Sequence, residues 1–205
     1  MPHSGHMKHT NTLFRLAATA CLLTALPAWA GPPLICTRIE IGNAKSLPWK
    51  TGANWNGAEA SYDTSRLTGD TLALLRYETP LHIRMETMRR AAIYSAKQQG
   101  LADELTAHLL ARTLDAEASG QPQPLAWFDA GYFVESLRQA TFVYRYEMLS
   151  PAERKDWFLR GGKPSIDGYA WVQKAIRSDG KNMEPALKLM EEFRKADLRS
   201  DARKP

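Results

Sequence analysis

The chain lacks several features that mark common protein classes. It has only two cysteines in 205 residues, too few for a disulfide-rich secreted scaffold. Its most apolar run, Leu16 to Leu26, stops at Pro27 and is about half as long as the ~20 residues that a membrane-spanning helix needs. A segregated excess of one charge is also lacking, because the net charge is only +5 and the 27 basic residues are interleaved with 22 acidic ones. This balance argues against a nucleic-acid-binding protein, which concentrates Lys and Arg on one face.

The first 30 residues instead predict a cleaved signal peptide. Lys8 and Arg15 give a positive start, the apolar run follows, and Ala28-Trp29-Ala30 supplies small residues at the two positions that a signal peptidase reads. Met7 is a better start than Met1, because it opens the compact positive region. A retained membrane anchor is the alternative, which the short apolar run disfavours. We therefore expect cleavage after Ala30 and a periplasmic or secreted protein.

Removal of this leader changes the charge and the cysteine and histidine content of the remaining chain. Two of the 27 basic residues and none of the acids lie in the leader, which leaves 25 basic and 22 acidic residues and a net charge of +3. Cys36 becomes the sole cysteine, so its thiol is free, buried or bridged to another chain. His82 and His108 are the histidines that stay.

The rest of the chain divides into an irregular part and a helical part. Prolines and glycines interrupt any periodicity in residues 31–66, which we call the arm, although Leu34 to Ile41 could form a short strand or an extended segment. Residues 67–197 read as a helical domain and residues 198–205 as a charged tail.

Helix-capping residues, prolines and glycines predict where the helices begin and end, and the spacing of apolar residues predicts which face is buried. One helix starts at Thr79-Pro80, carries a single apolar face and ends at Gly100, and the next has Leu114 in its apolar stripe. The segment from Pro124 to Leu137 is apolar on too many sides for a surface helix and should be central. Later helices are predicted after the capping box Ser150 to Glu153, from Asp167 to Ser178, and from Met183 to Ala196.

Short turns at Gly100 and Gly180 favour antiparallel neighbours. The sequence therefore predicts an all-α fold of stacked antiparallel helical hairpins. The pairing of large aromatics with small residues near Trp127 and Trp171 is similar to tetratricopeptide units, although no fixed period is present.

Four segments resemble a group of exported bacterial proteins of uncharacterised function. They are GPPLICTRIEIGNAKSLPW (31–49), PLHIRMETMRRAAIY (80–94), LAWFDAGYFVESLRQA (125–140) and DGYAWVQKAI (167–176). The resemblance implies export and a helical domain, and it carries no activity or functional residues. In that group the cysteine is often followed by histidine, whereas Thr37 follows Cys36 here, so the resemblance does not extend to a cysteine–histidine ligand pair.

The first candidate site lies on the helix after Pro80. His82 and Glu86 are four residues apart and share a face, and Asp115 on the next helix could complete a metal site. The favoured interpretation is that Glu86 pairs with Arg89 and Arg90 on its own helix, with His82 at an exposed edge. We therefore predict no metal and no cofactor.

The second candidate site is an acid among aromatic residues. Asp129 stands beside Trp127, Phe128 and Tyr132, a composition that can bind sugars or supply a general acid. The favoured interpretation is that the aromatics are core, with the acid facing solvent or paired with a basic residue.

Two further features have structural interpretations. Trp49 and Trp55 could form a stacking platform, but we favour their fastening the arm onto the helices. Cys36 as a nucleophile would need a nearby histidine, and none is close in sequence.

Function is predicted mainly from the lack of a convincing catalytic constellation. The leading hypothesis is a non-catalytic envelope scaffold or adaptor that binds another protein or a peptide. The competing hypothesis is an enzyme acting on envelope polysaccharide, with Asp129, Tyr132, His82 and Glu86 as its candidate residues. A third is a small-ligand-binding protein built on His82 and Glu86.

Overall fold

The computed structural model describes residues 33–50, 52, 55–96, 98–120, 123–148, 166–179 and 181–201. Across these residues the fold is all-α, which confirms the predicted class. The predicted signal peptide, the capping box at Ser150 and the last four residues of the tail lie outside the described ranges. The α-helices are α1 (Pro33–Cys36), α2 (Leu67–Leu74), α3 (Leu81–Ser95), α4 (Gln99–Ala118), α5 (Pro124–Met148), α6 (Gly168–Asp179) and α7 (Glu184–Asp201), with 3-10 turns at Thr64–Arg66 and Lys181–Met183.

Helix α5 is the centre of the fold, as its sequence predicts. It begins at the predicted Pro124 and runs 25 residues, well beyond Leu137. Helices α1, α3, α4 and α6 all pack against it. Phe128 and Phe133 are fully buried, as expected for a helix that is apolar on more than one side. Within the described part of the chain, none of the helices has the length and apolar character to cross a membrane.

Helix α3 differs from the prediction of a single apolar face. Every residue from 84 to 95 is buried, including Arg84, Glu86 and Arg89. These residues are buried because α5, α2, α4 and α1 all pack against α3, and because the arm also contacts it. Pro80 is the N-cap residue of this helix rather than its first helical residue.

Helix α4 is displaced from the predicted boundary and face. Gly100 lies in its first turn instead of closing α3, which ends at Ser95. Leu114, predicted to be in the apolar stripe, is 52% exposed. The buried stripe is Ala102, Leu105, Leu109, Thr113 and Ala116. Helices α3 and α4 contact each other less than each contacts α5, so the helices gather around α5, and a tetratricopeptide-like arrangement stays a prediction.

The described part of the arm is irregular, as predicted, but it starts with a helical turn. Helix α1 replaces the expected strand or extended segment, and Leu34 and Ile35 are buried at 1% and 0% exposure. A single turn places both side chains in the core, where α1 contacts α5 and α7. An isolated antiparallel bridge joins Trp49 to Ala58 further along the arm.

Two glycines allow α5 and α6 to cross at very close range. A Cβ atom added at Gly131 would lie 2.5 Å from the carbonyl oxygen of Gly168, and one added at Gly168 would lie 2.5 Å from the carbonyl oxygen of Gly131. Neither position has space for a side chain. The crossing brings the two backbones into direct contact and fixes the position of α6 on the central helix.

Truncation of the central helix tests this architecture. Phe128 is fully buried and its ring stacks on Tyr132, with 5.5 Å between the ring centroids. We expect Phe128→Ala to lower the free energy of unfolding by ~3 to 5 kcal/mol, through lost burial and the cavity left behind. Leu114→Ala is the control, because a half-exposed leucine should change that free energy by only about 0.5 kcal/mol. Equal urea midpoints for the two variants would contradict the central position of α5.

Candidate functional site

A group of buried charges lies on α3. Glu86, Arg89 and Arg90 are spaced i, i+3 and i+4, which puts them on neighbouring positions of one helix face. Arg89 binds Glu86 in a bidentate manner, with Nε 2.7 Å from Oε2 and Nη2 2.8 Å from Oε1, and Nε of Arg90 donates to the same Oε1 at 2.8 Å. The predicted pairing of Glu86 with these two arginines is confirmed. We call these three residues the arm clamp.

The arm clamp carries a net positive charge in a buried place. Burial alone would raise the pKa of Glu86, but the hydrogen bonds and charges of Arg89 and Arg90 outweigh it and hold that pKa below the ordinary value of 4.5. The side chains of Glu86 and Arg89 are 0% exposed. Both guanidinium groups also lie near the ring of Trp49, at 4.9 and 5.4 Å from its centroid, where the π face attracts cations.

The arginines of the arm clamp bind main-chain carbonyls of the arm. Nη1 of Arg89 donates to the carbonyl oxygens of Ile35 and Trp55, both at 2.9 Å. Nη1 of Arg90 donates to the carbonyl oxygen of Leu47 at 2.7 Å. Charged donors make stronger hydrogen bonds than neutral ones. Three separate points of an irregular segment are therefore held against α3.

Further main-chain contacts extend this attachment. The amide of Ile39 donates to Oε2 of Glu86 at 3.2 Å. Tyr94, two turns along α3, donates its hydroxyl to the carbonyl of Pro48 at 2.7 Å and accepts from the amide of Glu59 at 2.9 Å. Side chains of the buried helix α3 thus hydrogen-bond to main-chain N–H groups and to main-chain carbonyls of the arm.

A second buried ion pair joins α3 to α5. Nη1 of Arg84 lies 2.6 Å from Oδ2 of Asp129, and both side chains are 1% exposed. Arg84 also donates to the carbonyl oxygens of Thr79 (3.0 Å) and Arg76. Burial raises the pKa of Asp129 to about 6, against the opposing charges of Arg84 and Arg112. Of the two expectations for this acid, pairing with a basic residue is confirmed and exposure to solvent is wrong.

The remaining candidate residues do not join a common site. Tyr132 is fully buried, and burial raises the pKa of its hydroxyl. His82 is exposed in the first turn of α3, and Asp115 is exposed on α4, whereas Glu86 is buried. Among the described residues, no three His, Cys, Asp or Glu side chains come together where they could hold a metal ion.

The two arm tryptophans pack on the helices, as the structural interpretation expects. The ring of Trp49 meets Tyr94 edge to face at 6.2 Å between centroids, and Trp55 lies 5.6 Å from Tyr144. Both side chains are partly buried against the core. Cys36 is partly buried at the end of α1.

Sequence reasoning missed that α3 buries its charges. On the helical repeat, Arg84 lies one turn from Met88 and Arg89 one turn from Met85, so both arginines flank the apolar face of this helix. A helix whose charges lie this close to its apolar stripe has little polar face left, and that was the available signal. Glu135 was also missed. It is 2% exposed, its Oε2 lies 2.8 Å from Arg138, and burial raises its pKa.

Comparison with known proteins does not assign a function to this chain. No family model, curated protein or solved structure matches this chain. The resemblance to exported helical proteins therefore stays a prediction.

Loss of the shared carboxylate tests the arm clamp. Glu86→Gln removes the negative charge from between two buried guanidinium groups, and breaking a buried pair in this way typically costs ~3 to 5 kcal/mol. We expect the free energy of unfolding to fall by about that amount. Glu40→Gln is the control, because its pair with Arg38 is exposed and exposed pairs contribute at most about 1 kcal/mol. Similar denaturant midpoints would show that the arm clamp is energetically unimportant.

The pH dependence of stability tests the second ion pair. The folded pKa of Asp129, about 6, exceeds the ordinary value of 3.8, so the folded chain binds more protons in this range and stability should rise by roughly 1 kcal/mol from pH 7 to pH 5. Glu86 acts in the opposite direction, because its lowered pKa gives stability that is lost as pH falls below 4.5. We expect maximal stability near pH ~5 and a smaller rise in Asp129→Asn, measured by thermal unfolding. Identical pH profiles for the two proteins would refute the raised pKa.

Proposed function

We propose that this protein is an exported, non-catalytic helical scaffold that binds another protein or a peptide through a loop of the arm. We call residues 37–46 the arm loop. The observation that carries the proposal is that the arm clamp binds the main chain within this loop and on both sides of it. The main-chain atoms that it binds belong to Ile35, Ile39 and Leu47. Binding residues are often found on loops that a rigid framework positions.

The arm loop is folded tightly and faces outward. A turn hydrogen bond joins the amide of Ala44 to the carbonyl of Ile41 at 3.1 Å, and Gly42 has a φ of +55°, a conformation that favours glycine. Next to the loop's end, the hydroxyls of Ser46 and Thr87 are 3.0 Å apart. The exposed side chains of the loop are Thr37, Arg38, Glu40, Asn43 and Lys45.

The chemistry of the arm clamp supports a positioning role. Buried ion pairs are costly to desolvate, and apolar residues of similar volume often stabilise a core equally well. An apolar side chain, however, cannot donate to the carbonyl oxygens of Ile35, Leu47 and Trp55. The clamp therefore fixes the course of an irregular backbone, which is what a pre-ordered binding loop requires.

The competing hypothesis of a polysaccharide-cutting enzyme receives little support from its candidate residues. Asp129, Tyr132 and Glu86 are at most 1% exposed, and the two acids pair with different arginines. A general acid has to reach the atom that it protonates. Only His82 of the four faces solvent, and a single exposed histidine is a weak basis for catalysis.

A matched pair of variants tests the proposal. The loop variant replaces Arg38, Glu40 and Lys45 with alanine, and the control replaces Lys188, Glu192 and Lys195, three exposed residues of α7 with the same net charge. Immobilised wild type, loop variant and control would be incubated with bacterial envelope extract, and the bound proteins quantified by mass spectrometry. We expect a set of proteins retained by wild type and control and depleted about tenfold or more by the loop variant.

Two results would contradict the proposal. Equal retention by all three proteins would show that the arm loop is not the binding surface. Absence of specific retention, together with turnover of an envelope glycan by the wild type, would favour the enzyme instead. Circular dichroism and unfolding midpoints of the variants would confirm that each one is folded, because all six replaced side chains are exposed.

A further inference from the structure

Helix α1 is held on the rest of the molecule in the way that a short peptide is held on its receptor. It consists of Pro33–Cys36, which is a single helical turn. One turn has little stability of its own in water, because helix nucleation is unfavourable. Within the described residues, the next α-helix along the chain is α2, which begins at Leu67. The conformation of α1 therefore depends on the helices against which it packs.

The surface that receives α1 is formed by α3, α5 and α7, and we call it the α1 site. Leu34 and Ile35 are 1% and 0% exposed, so the site encloses both side chains. Removal of apolar surface from water is the main favourable contribution to most protein association. Two consecutive aliphatic residues thus supply the apolar part of this contact.

The α1 site also binds the main chain of the same two residues. Oε1 of Gln139 accepts from the amide of Leu34 at 2.8 Å, and Nη1 of Arg89 donates to the carbonyl oxygen of Ile35 at 2.9 Å. These partners lie 105 and 54 residues away in sequence. One acceptor and one charged donor fix the direction of the segment. Peptide-binding domains likewise combine main-chain hydrogen bonds with pockets for side chains.

A second molecule can supply the same segment, because the arm loop is long enough to act as a hinge. After the loop, the carbonyl of Leu47 accepts from Arg90 at 2.7 Å. Ten extended residues span ~33 Å, about the diameter of a small domain. Extension of residues 37–46 breaks the turn hydrogen bond of Ala44 and the contact of Ile39 with Glu86. It leaves every contact of Leu34 and of Ile35 available.

We propose that the α1 site binds residues 33–36 of a second copy of this chain, so that two molecules exchange α1 reciprocally. Each α1 then makes with the other molecule the contacts that it makes within its own chain. Exchange of an identical element is a low-cost route to a dimer. The inference depends on the contacts of α1 and not on the proposed binding role of the arm loop. Because the folded loop and the extended hinge are alternatives, exchange removes the folded arm loop.

A labelled peptide tests the α1 site directly. The probe is a fluorescent peptide of residues 33–38 with Cys36→Ser, which prevents disulfide formation, and the control peptide also carries Leu34→Ser and Ile35→Ser. In the wild type the chain's own α1 competes at an effective concentration of ~1 mM. We expect the full chain with Leu34→Ser and Ile35→Ser to bind the probe about tenfold or more tightly than the wild type does, measured by fluorescence anisotropy. The control peptide should bind neither protein.

Exchange between whole molecules tests the second copy as the occupant and needs no substitution. Wild-type chains with two different C-terminal tags are mixed at ~1 mM, exposed to urea below the unfolding midpoint, and returned to buffer. We expect a heterodimer that carries both tags, detected by native mass spectrometry. The chain with Leu34→Ser and Ile35→Ser is the control, and it should form no heterodimer.

Two results would overturn the proposal. A folded variant with Leu34→Ser and Ile35→Ser that does not bind the probe shows that the α1 site accepts no separate segment; if circular dichroism shows the variant unfolded, the exchange experiment decides. Lack of a heterodimer in the wild-type mixture excludes the second copy as the occupant, even where the peptide binds. The loop variant keeps Leu34 and Ile35 and should exchange as the wild type does, which separates failure of this proposal from failure of the proposed function.

Discussion

The rest of the structure depends on the burial of one carboxylate between two guanidinium groups. A charge taken out of water is costly unless it is paired and hydrogen-bonded, and Glu86 is paired twice on its own helix. This pairing compensates the charge of the carboxylate and allows residues 84–95 of α3 to be buried. Because α3 is buried, its arginines reach the carbonyl oxygens of the arm, and the arm in turn closes over the core with Leu34, Ile35 and Leu47.

The helical part of the fold could be predicted because its signals are local. Pro124 marks the start of α5, and the unbroken apolar character of the following residues identifies the central helix. The predictions for α1 and α4 were wrong because contacts with residues distant in sequence determine the conformation of one and the buried face of the other. On α4 the buried stripe passes through Thr113 and leaves Leu114 exposed. In α1 a helical turn, not a strand, buries the consecutive residues Leu34 and Ile35. A spacing pattern does not reveal which neighbour covers a face.

For the arm clamp, the ion pairs could be predicted from the sequence, but the burial of the three residues could not. The i, i+3 and i+4 spacing of Glu86, Arg89 and Arg90 predicts their ion pairs on any helix. Their burial follows from segments 34 to 54 residues away in sequence, and no local pattern encodes that. Asp129 shows the same limit, because its partner Arg84 lies 45 residues away.

The contacts that hold the arm are made mainly to main-chain atoms. A carbonyl oxygen or an amide hydrogen is the same at nearly every residue type, proline's missing amide aside. The exposed side chains of residues 37–46 can therefore be exchanged over evolutionary time while the anchors at 35, 39 and 47 keep their chemistry. The course of the arm backbone is therefore independent of which side chains residues 37–46 display, and substitutions there change the chemistry of the surface without changing the fold.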